Sequence, residues 1–271
     1  MLRMKCAAVI SDCRDHNAMG RVKSRLVSML ECHVTEVGVA TDLEAAGNLV
    51  DQLDAMRING RFSLILANVA PRSGQPEAWG NGSPFAYFQV GHTFVVTTIA
   101  GNILALVSKL GLARTINQVE VAQVATAAGW QDAEWVTTTQ FRSFEFLPRL
   151  AGLIASNRPV PHQVVTVPSL IHQRCNGDVW WIDNFGNIKT TTLPADIGFM
   201  PGRTVTVGGQ SVGCYHRLSE VPDSQLGVII GSSGFVDQRF VEVVVKGGSA
   251  AATLGIEVGA VAFSHEAIPV G

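Results

Sequence analysis

The feature that most constrains this chain is a change of rhythm near Asn157. Before it, compact apolar runs alternate with stretches whose apolar residues recur at helical spacing. After it, short β-rich runs are separated by glycine turns. One repeating pattern cannot serve both halves. The chain therefore reads as an α/β domain over 1–157, a linker at 158–162 containing Pro159 and Pro161, and an all-β domain over 163–271.

In the first part, Lys5 to Ile10 reads as a strand, followed by Met19, Val22, Leu26, Met29 and Leu30 on one helical face. Thr41 to Glu44 is a capping box opening a helix with apolar Leu43, Ala46, Leu49, Leu53 and Met56, which Asn59-Gly60 closes. Phe62 to Val69 is almost continuously apolar, as a strand buried on both faces requires. Phe85 to Val96 predicts a hairpin turning near Gly91, and helical patterns follow at Asn102 to Lys109, Val119 to Ala128 and Phe146 to Ser156. This predicts a three-layer α/β domain with a mostly parallel sheet. In the second part, strands are predicted at Gln163 to Val167, Asp178 to Ile182, Thr204 to Val207, Gly227 to Ile230, Phe240 to Val245 and Val258 to Phe263. Strands at that spacing suggest a small barrel-like domain.

Charge removes some function classes. Twenty basic residues against 22 acidic ones leave a net charge of −2, without the electrostatic footprint of a nucleic-acid or anionic-membrane partner. No apolar run is long enough to span a membrane. The first apolar run meets Asp12 too early for a signal peptide, so a cytoplasmic location is expected. Five cysteines without C-x-x-C spacing suit a reducing compartment. The seven histidines include no pair at ligand spacing, so neither a metal nor a resident cofactor is expected. Phosphate-loop, zinc-protease, nucleophile-elbow and dinucleotide signatures are absent.

What remains is polar residues at strand ends. Ser11-Asp12 follows the first strand, at the edge where open α/β sheets hold ligands, with Asp15 close behind. An ionised Asp offers two acceptor oxygens, enough for both hydroxyls of a ribose. Helix capping by Asp15 and a solvated Asp12 explain the same residues equally well. In the second domain, Trp180 to Asn187 contains Phe185-Gly186-Asn187, a ring that can stack on a purine beside a carboxamide that can bond its edge. A plain turn between two strands is the alternative.

Here the residues resemble a family. Trp181 to Thr191 is similar to the I-D-x-F-G-N-x-x-T-N element of the S-adenosylmethionine hydroxide adenosyltransferases and their fluorinase and chlorinase relatives. Gly231-Ser-Ser-Gly-Phe235, then Val241 to Ala251 and Leu254-Gly255, resembles the family's G-S-S-G-Y-L-E-I-A-V-N-x-G-S-A-A-x-x-L-G, interrupted by about five inserted residues, Val236 to Phe240. In the first domain, Ser11-Asp12, Gly20 and Lys23 resemble T-D-F-G…D-x-x-V-G-x-x-K-G; Val69 to Gly74 resembles V-D-P-G-V-G, and Thr139 to Glu145 resembles S-T-F-H-G-R-D.

The resemblance implies a small-molecule adenosine partner, S-adenosylmethionine, as substrate, attacked at ribose C5′ by water to give adenosine and methionine. Non-catalytic binding, or a halide or other anionic nucleophile, is the alternative. It further implies a homotrimer with sites shared between subunits. Asp12 and Asp15 would then hold the ribose side and Phe185 and Asn187 the ligand. Ser232 and Ser233 with the backbone of Gly231, and Ser249, Ala250 and Ala251, would meet the adenine. The departures fall on chemistry. Ala70 stands in place of the family's Asp, Gly82 or Ser83 in place of an Arg, and Arg142 in place of a His, while Ile99 to Asn102 replaces P-D-N-G. Arg142 and Ser143 are the candidate catalytic pair, an anion seat in the anionic-nucleophile alternative, with Arg72 and His92 as further substitutes; solvated surface charge at Arg72 and Arg142, a helix-entry cap at Ser143 and a hairpin residue at His92 are the ordinary readings.

Overall fold

The structure is a computed structural model that describes residues 4–70, 83–170 and 175–263. It divides into two compact units, Met1–Gln173 and Arg174–Gly271.

In the first unit, strands β1 (Cys6–Ser11), β2 (His33–Gly38), β3 (Ser63–Asn68), β4 (Phe85–Val90), β5 (Thr93–Thr98), β6 (Thr115–Val119) and β7 (Gln163–Thr166) form one sheet. Their order is β2-β1-β3-β5-β4-β6-β7. The pairings among β2, β1, β3 and β5 are parallel, and those from β5 through β4 and β6 to β7 are antiparallel. The sheet is thus mixed rather than mostly parallel, because the tight turn at Gly91 forces β4 and β5 to run in opposite directions.

Helices α1 (His16–Leu30), α2 (Asp42–Met56), α3 (Ala105–Lys109), α4 (Val121–Ala128), α5 (Ala133–Thr138) and α6 (Arg142–Ala155) complete this unit. Every residue of β3 is buried, and β1 is buried beyond its first residue, as their unbroken apolar sequence requires. Ala7, Val9, Leu64 and Leu66 face α1 and α6. The alternate residues Ala8, Ile10, Ile65 and Ala67 are also fully buried, on the face that α2 covers.

The predicted capping box is present: Glu44 N–H donates to Thr41 Oγ1 at 3.0 Å, while Glu44 Oε2 accepts from Ala40 N–H at 2.7 Å. Burial raises the Glu44 carboxyl above its usual range, against hydrogen bonds from Ala40 and Thr41 and the Arg14 charge. β2 escapes the sequence pattern because it is an edge strand with only Val34 and Val37 apolar.

Two boundaries differ from expectation. Gln163–Thr166 does not open the second domain; it pairs with β6 at the edge of the first sheet, and the units divide at 173/174 instead of within 158–162. The two prolines mark a bend between α6 and β7, not a domain linker. Also, α6 starts at Arg142 instead of Phe146, which puts Arg142 and Ser143 in its first turn.

Pro148 lies inside α6 and has no N–H for the carbonyl of Phe144, four residues earlier. The guanidinium of Arg25 supplies that bond from α1, donating to Phe144 O at 3.0 Å. It also pairs with Glu145 at 2.7 Å and lies over the Phe144 ring at 3.7 Å. Arg25→Ala is therefore expected to cost about 1–2 kcal/mol, since the pair is part-exposed. Adding Pro148→Ala should recover part of the loss by restoring the helical bond. A double-mutant cycle read by urea midpoints checks this; equal cost of Arg25→Ala in both backgrounds would contradict the assignment.

The second unit holds β8 (Val179–Ile182), β9 (Ile188–Thr190), β10 (Thr204–Val207), β11 (Gln210–Cys214), β12 (Leu226–Phe235), β13 (Gln238–Val245) and α7 (Ala250–Leu254). They form a six-stranded sheet in the order β10-β11-β12-β13-β9-β8, which stays open between β10 and β8 among the described residues. Val228, Val241, Val243 and Val245 fill its core with Val179, Ile188 and Phe263. The strand predicted over Val258 to Phe263 is reduced to one isolated bridge, Asp178 to Val261.

Candidate functional site

Strand order places the candidate residues of the first unit. β1 leaves through α1 to β2 on one side, whereas β3 lies on the other side of β1, reached from β2 through α2. The crossovers cover opposite faces, leaving a crevice between β1 and β3 at the carboxyl edge of the sheet. Asp12 lies there. Its N–H donates to Asn68 O at 3.3 Å, and its Oδ2 accepts from Ala70 N–H at 3.0 Å. Its Oδ1 is buried and has no hydrogen-bond partner among the described residues. A buried oxygen of that kind is an acceptor waiting for a donor.

Around it the loops are tied together. Ser11 Oγ accepts from Cys13 N–H at 3.1 Å and lies 3.4 Å from Asn68 Nδ2, while Thr98 Oγ1 accepts from Val69 N–H and donates to Val69 O. A second orphan oxygen, Asn102 Oδ1, sits in the loop after β5 at the same edge; that residue's N–H donates to Asp42 Oδ2 at 2.7 Å.

The remaining candidates of this unit separate. Asp15 caps α1, accepting from Ala18 N–H at 2.9 Å through an exposed side chain, as the capping alternative has it. Ser143 reaches β1, lining a cavity of about 10 Å³ with Ser11, Cys13, Asn68 and Phe141. It is not the helix cap, a place held by Phe141. Arg142 donates to Ser83 O at 3.0 Å and lies over the Phe85 ring, and burial lowers its pKa. A guanidinium stays protonated even so and cannot serve as a base. His92 precedes β5 and packs edge-on to Phe62 at the opposite end of the strands from Asp12, so the two do not meet. Arg72 and Gly82 lie outside the described residues.

In the second unit the two family-like stretches come together. Asp183 ties a turn whose conformation the sequence sets: Oδ1 accepts from the N–H groups of Phe185 at 2.9 Å and Asn187 at 3.0 Å, and Oδ2 from Asn187 Nδ2 at 3.0 Å. Burial pushes this carboxyl up, but those bonds and the Lys189 charge outweigh it and hold it below the usual carboxylate range. Phe185 is left 71% exposed at the tip. Gly186, with φ +83, lies against Ser249, and a Cβ there would overlap the serine side chain. Its carbonyl accepts from Ala251 N–H at 3.0 Å, and Ser249 caps α7 by accepting from Ala252 N–H at 3.1 Å. Ala250 is buried beneath this joint.

The Gly231 to Ser233 segment is a bulge. Register passes from Ile230 opposite Val241 to Gly234 opposite Arg239, so three residues of β12 face Phe240 alone. Ser233 is buried at its base. The inserted residues Val236 to Phe240 lengthen the hairpin, with Val236 at the tip in a left-handed conformation. The sequence pointed to the serines and to the turn opened by Asp183, and missed Glu242, which holds Ser232 and whose partner Lys189 is 53 residues distant.

A cavity of about 620 Å³ lies elsewhere, lined by Arg25, Trp130, Arg149 and Arg158. Its guanidiniums already have protein acceptors in Glu145, Asp132 and the Ala128 carbonyl. Among the described residues no helix is long and apolar enough to cross a membrane.

Residues 177–262 match the family model of the SAM hydroxide adenosyltransferase C-terminal domain. Over 93 residues the chain is 34% identical to a (R)-S-adenosyl-L-methionine hydrolase of Thermus thermophilus, a match spanning 34% of this chain and 33% of that relative. Two solved structures share the fold over nearly the full length. A conserved protein of Thermotoga maritima has a TM-score of 0.66 at 16% identity, covering 93% of this chain and 97% of its own. A conserved hypothetical protein of Thermus thermophilus has a TM-score of 0.63 at 24% identity, covering 94% and 97%.

Proposed function

With a C-terminal unit that matches the S-adenosylmethionine hydroxide adenosyltransferases, we propose that this protein binds S-adenosylmethionine and displaces methionine at ribose C5′ with water. The observation that carries the reading is the Asp12 carboxylate at the β1/β3 crevice, one oxygen fixed by Ala70 and the other without a partner among the described residues. Such a group accepts from a vicinal diol. Asn187, with its amide nitrogen held by Asp183, keeps its carbonyl oxygen for a donor on the base, and exposed Phe185 offers a face for stacking.

The chemistry asks little of acids. An oxygen lone pair of water forms the O–C5′ bond as the C5′–S bond breaks. The bond pair returns to sulfur, neutralising the sulfonium to the thioether of methionine, and the surplus proton passes to solvent. Positioning the water in line behind C5′ is the main task. Ser143 is suited to orient that water by one hydrogen bond. Arg142, a fixed positive charge, would serve instead the alternative in which an anion is the nucleophile.

A second reading, binding without turnover, is favoured by the engagement of Arg142 with Ser83 and Phe85 and by the alanine at position 70. Lack of a base typically costs about 10²–10⁴ in rate. Prolonged incubation of pure protein with S-adenosylmethionine, followed by chromatography, is expected to yield adenosine and methionine in equal amounts. Tight binding with neither product would support the second reading, and adducts formed only with added halide a different nucleophile. A homotrimer belongs to the proposal and is read by light scattering of the eluted protein.

A further inference from the structure

The G-S-S bulge is gripped from two sides by residues outside it. Glu242 on β13 extends its carboxylate beneath the bulge: Oε1 accepts from Ser232 N–H at 3.2 Å and from Lys189 Nζ at 2.6 Å, with the Glu242 side chain 9% exposed. Gly231 allows this approach, since a Cβ there would overlap the Glu242 carboxylate. From the other side, Arg239 Nη1 donates to Ser232 O at 2.9 Å and Gly234 O at 3.1 Å. The N–H and the carbonyl of Ser232 are thus both taken by the protein. The expected backbone contact from this segment to an adenine is left to the second lone pair of the Ser232 carbonyl or to its neighbours, with the serine in a fixed orientation.

Arg239 belongs to the five-residue insertion that interrupts the family-like motif. A bulge leaves backbone groups unpaired and free to shift. Here the lengthened hairpin folds back to fix them. We propose that Arg239 and Glu242 are positioning residues for the adenosine ligand, setting affinity through the orientation of Ser232 and Ser233; the inference rests on the adenosine-ligand reading above.

Titration calorimetry with adenosine separates positioning from mere folding. Arg239→Ala is expected to raise Kd about tenfold with the number of sites per chain unchanged, as loss of a charge-assisted hydrogen bond would. Arg239→Lys, which keeps the charge but not the planar fork, should recover part of it. In Glu242→Ala, which removes the acceptor, the Ser232 amide is expected to lose protection in hydrogen exchange, with or without ligand. An unchanged Kd in Arg239→Ala, or fewer sites at unchanged Kd, overturns the inference while leaving the adenosine reading intact. So does undiminished protection of Ser232. Failure of the wild-type chain to bind adenosine overturns the reading beneath it.

Discussion

Asp12→Asn is expected to weaken adenosine binding by about a hundredfold or more while leaving the fold as stable as before. The two halves of this result have one cause. A carboxylate accepting two ribose hydroxyls makes charge-assisted bonds of roughly 1.5–3 kcal/mol each. An asparagine keeps one acceptor oxygen and presents an amide N–H₂ where the second should be. Without ligand, however, Asp12 Oδ1 lies buried with no partner among the described residues, so the native side chain carries a desolvation cost that its contact with Ala70 only partly offsets. Calorimetric titration with adenosine, beside the melting temperature of the free protein, reads both. A variant that binds normally would remove Asp12 from the site. One that binds weakly but also melts far lower would show the residue to be structural.

In the second unit, Asp183→Ala is expected to weaken adenosine binding by a comparable factor and also to destabilise the unit by about 2–3 kcal/mol. Three donors lose their acceptor at once, and an unsatisfied donor costs about 1–3 kcal/mol when buried, less in a half-exposed turn. The turn that presents Phe185 and Asn187 then has no internal tie. The pH dependence follows from the lowered pKa of Asp183. Its stabilising contribution is complete above the unfolded-state value, about 3.9, and fades as pH falls through the lower folded-state value. Acid unfolding curves of the wild type and Asp183→Asn should therefore diverge most above pH 4 and converge in stronger acid. Parallel curves at all pH would show that the carboxylate is not what holds the turn.

Parts of this architecture were legible in the residues because local rules decide them. The Thr41 cap, the Gly91 hairpin and the continuous apolar runs of β1 and β3 each follow from a few adjacent side chains. The domain boundary was not, because Pro159 and Pro161 signal a bend equally well within a unit and between units, and only the pairing of β7 with β6 decides. The same holds for the site. Asp12, Phe185, Asn187 and Ser249 stand in recognisable strings, whereas Glu242 and Arg239 matter through partners that the fold brings near. No spacing rule reaches across 53 residues to Lys189.

The bond from Ala70 to Asp12 comes from the main chain, so it survives any side chain at position 70 except proline. If Asp12 holds a diol as proposed, that contact is therefore insulated from substitution at position 70. On the proposed reading, the residue at position 70 can change without loss of the acceptor that faces the ligand. Ala70→Asp is accordingly expected to leave the main-chain bond to Asp12 in place.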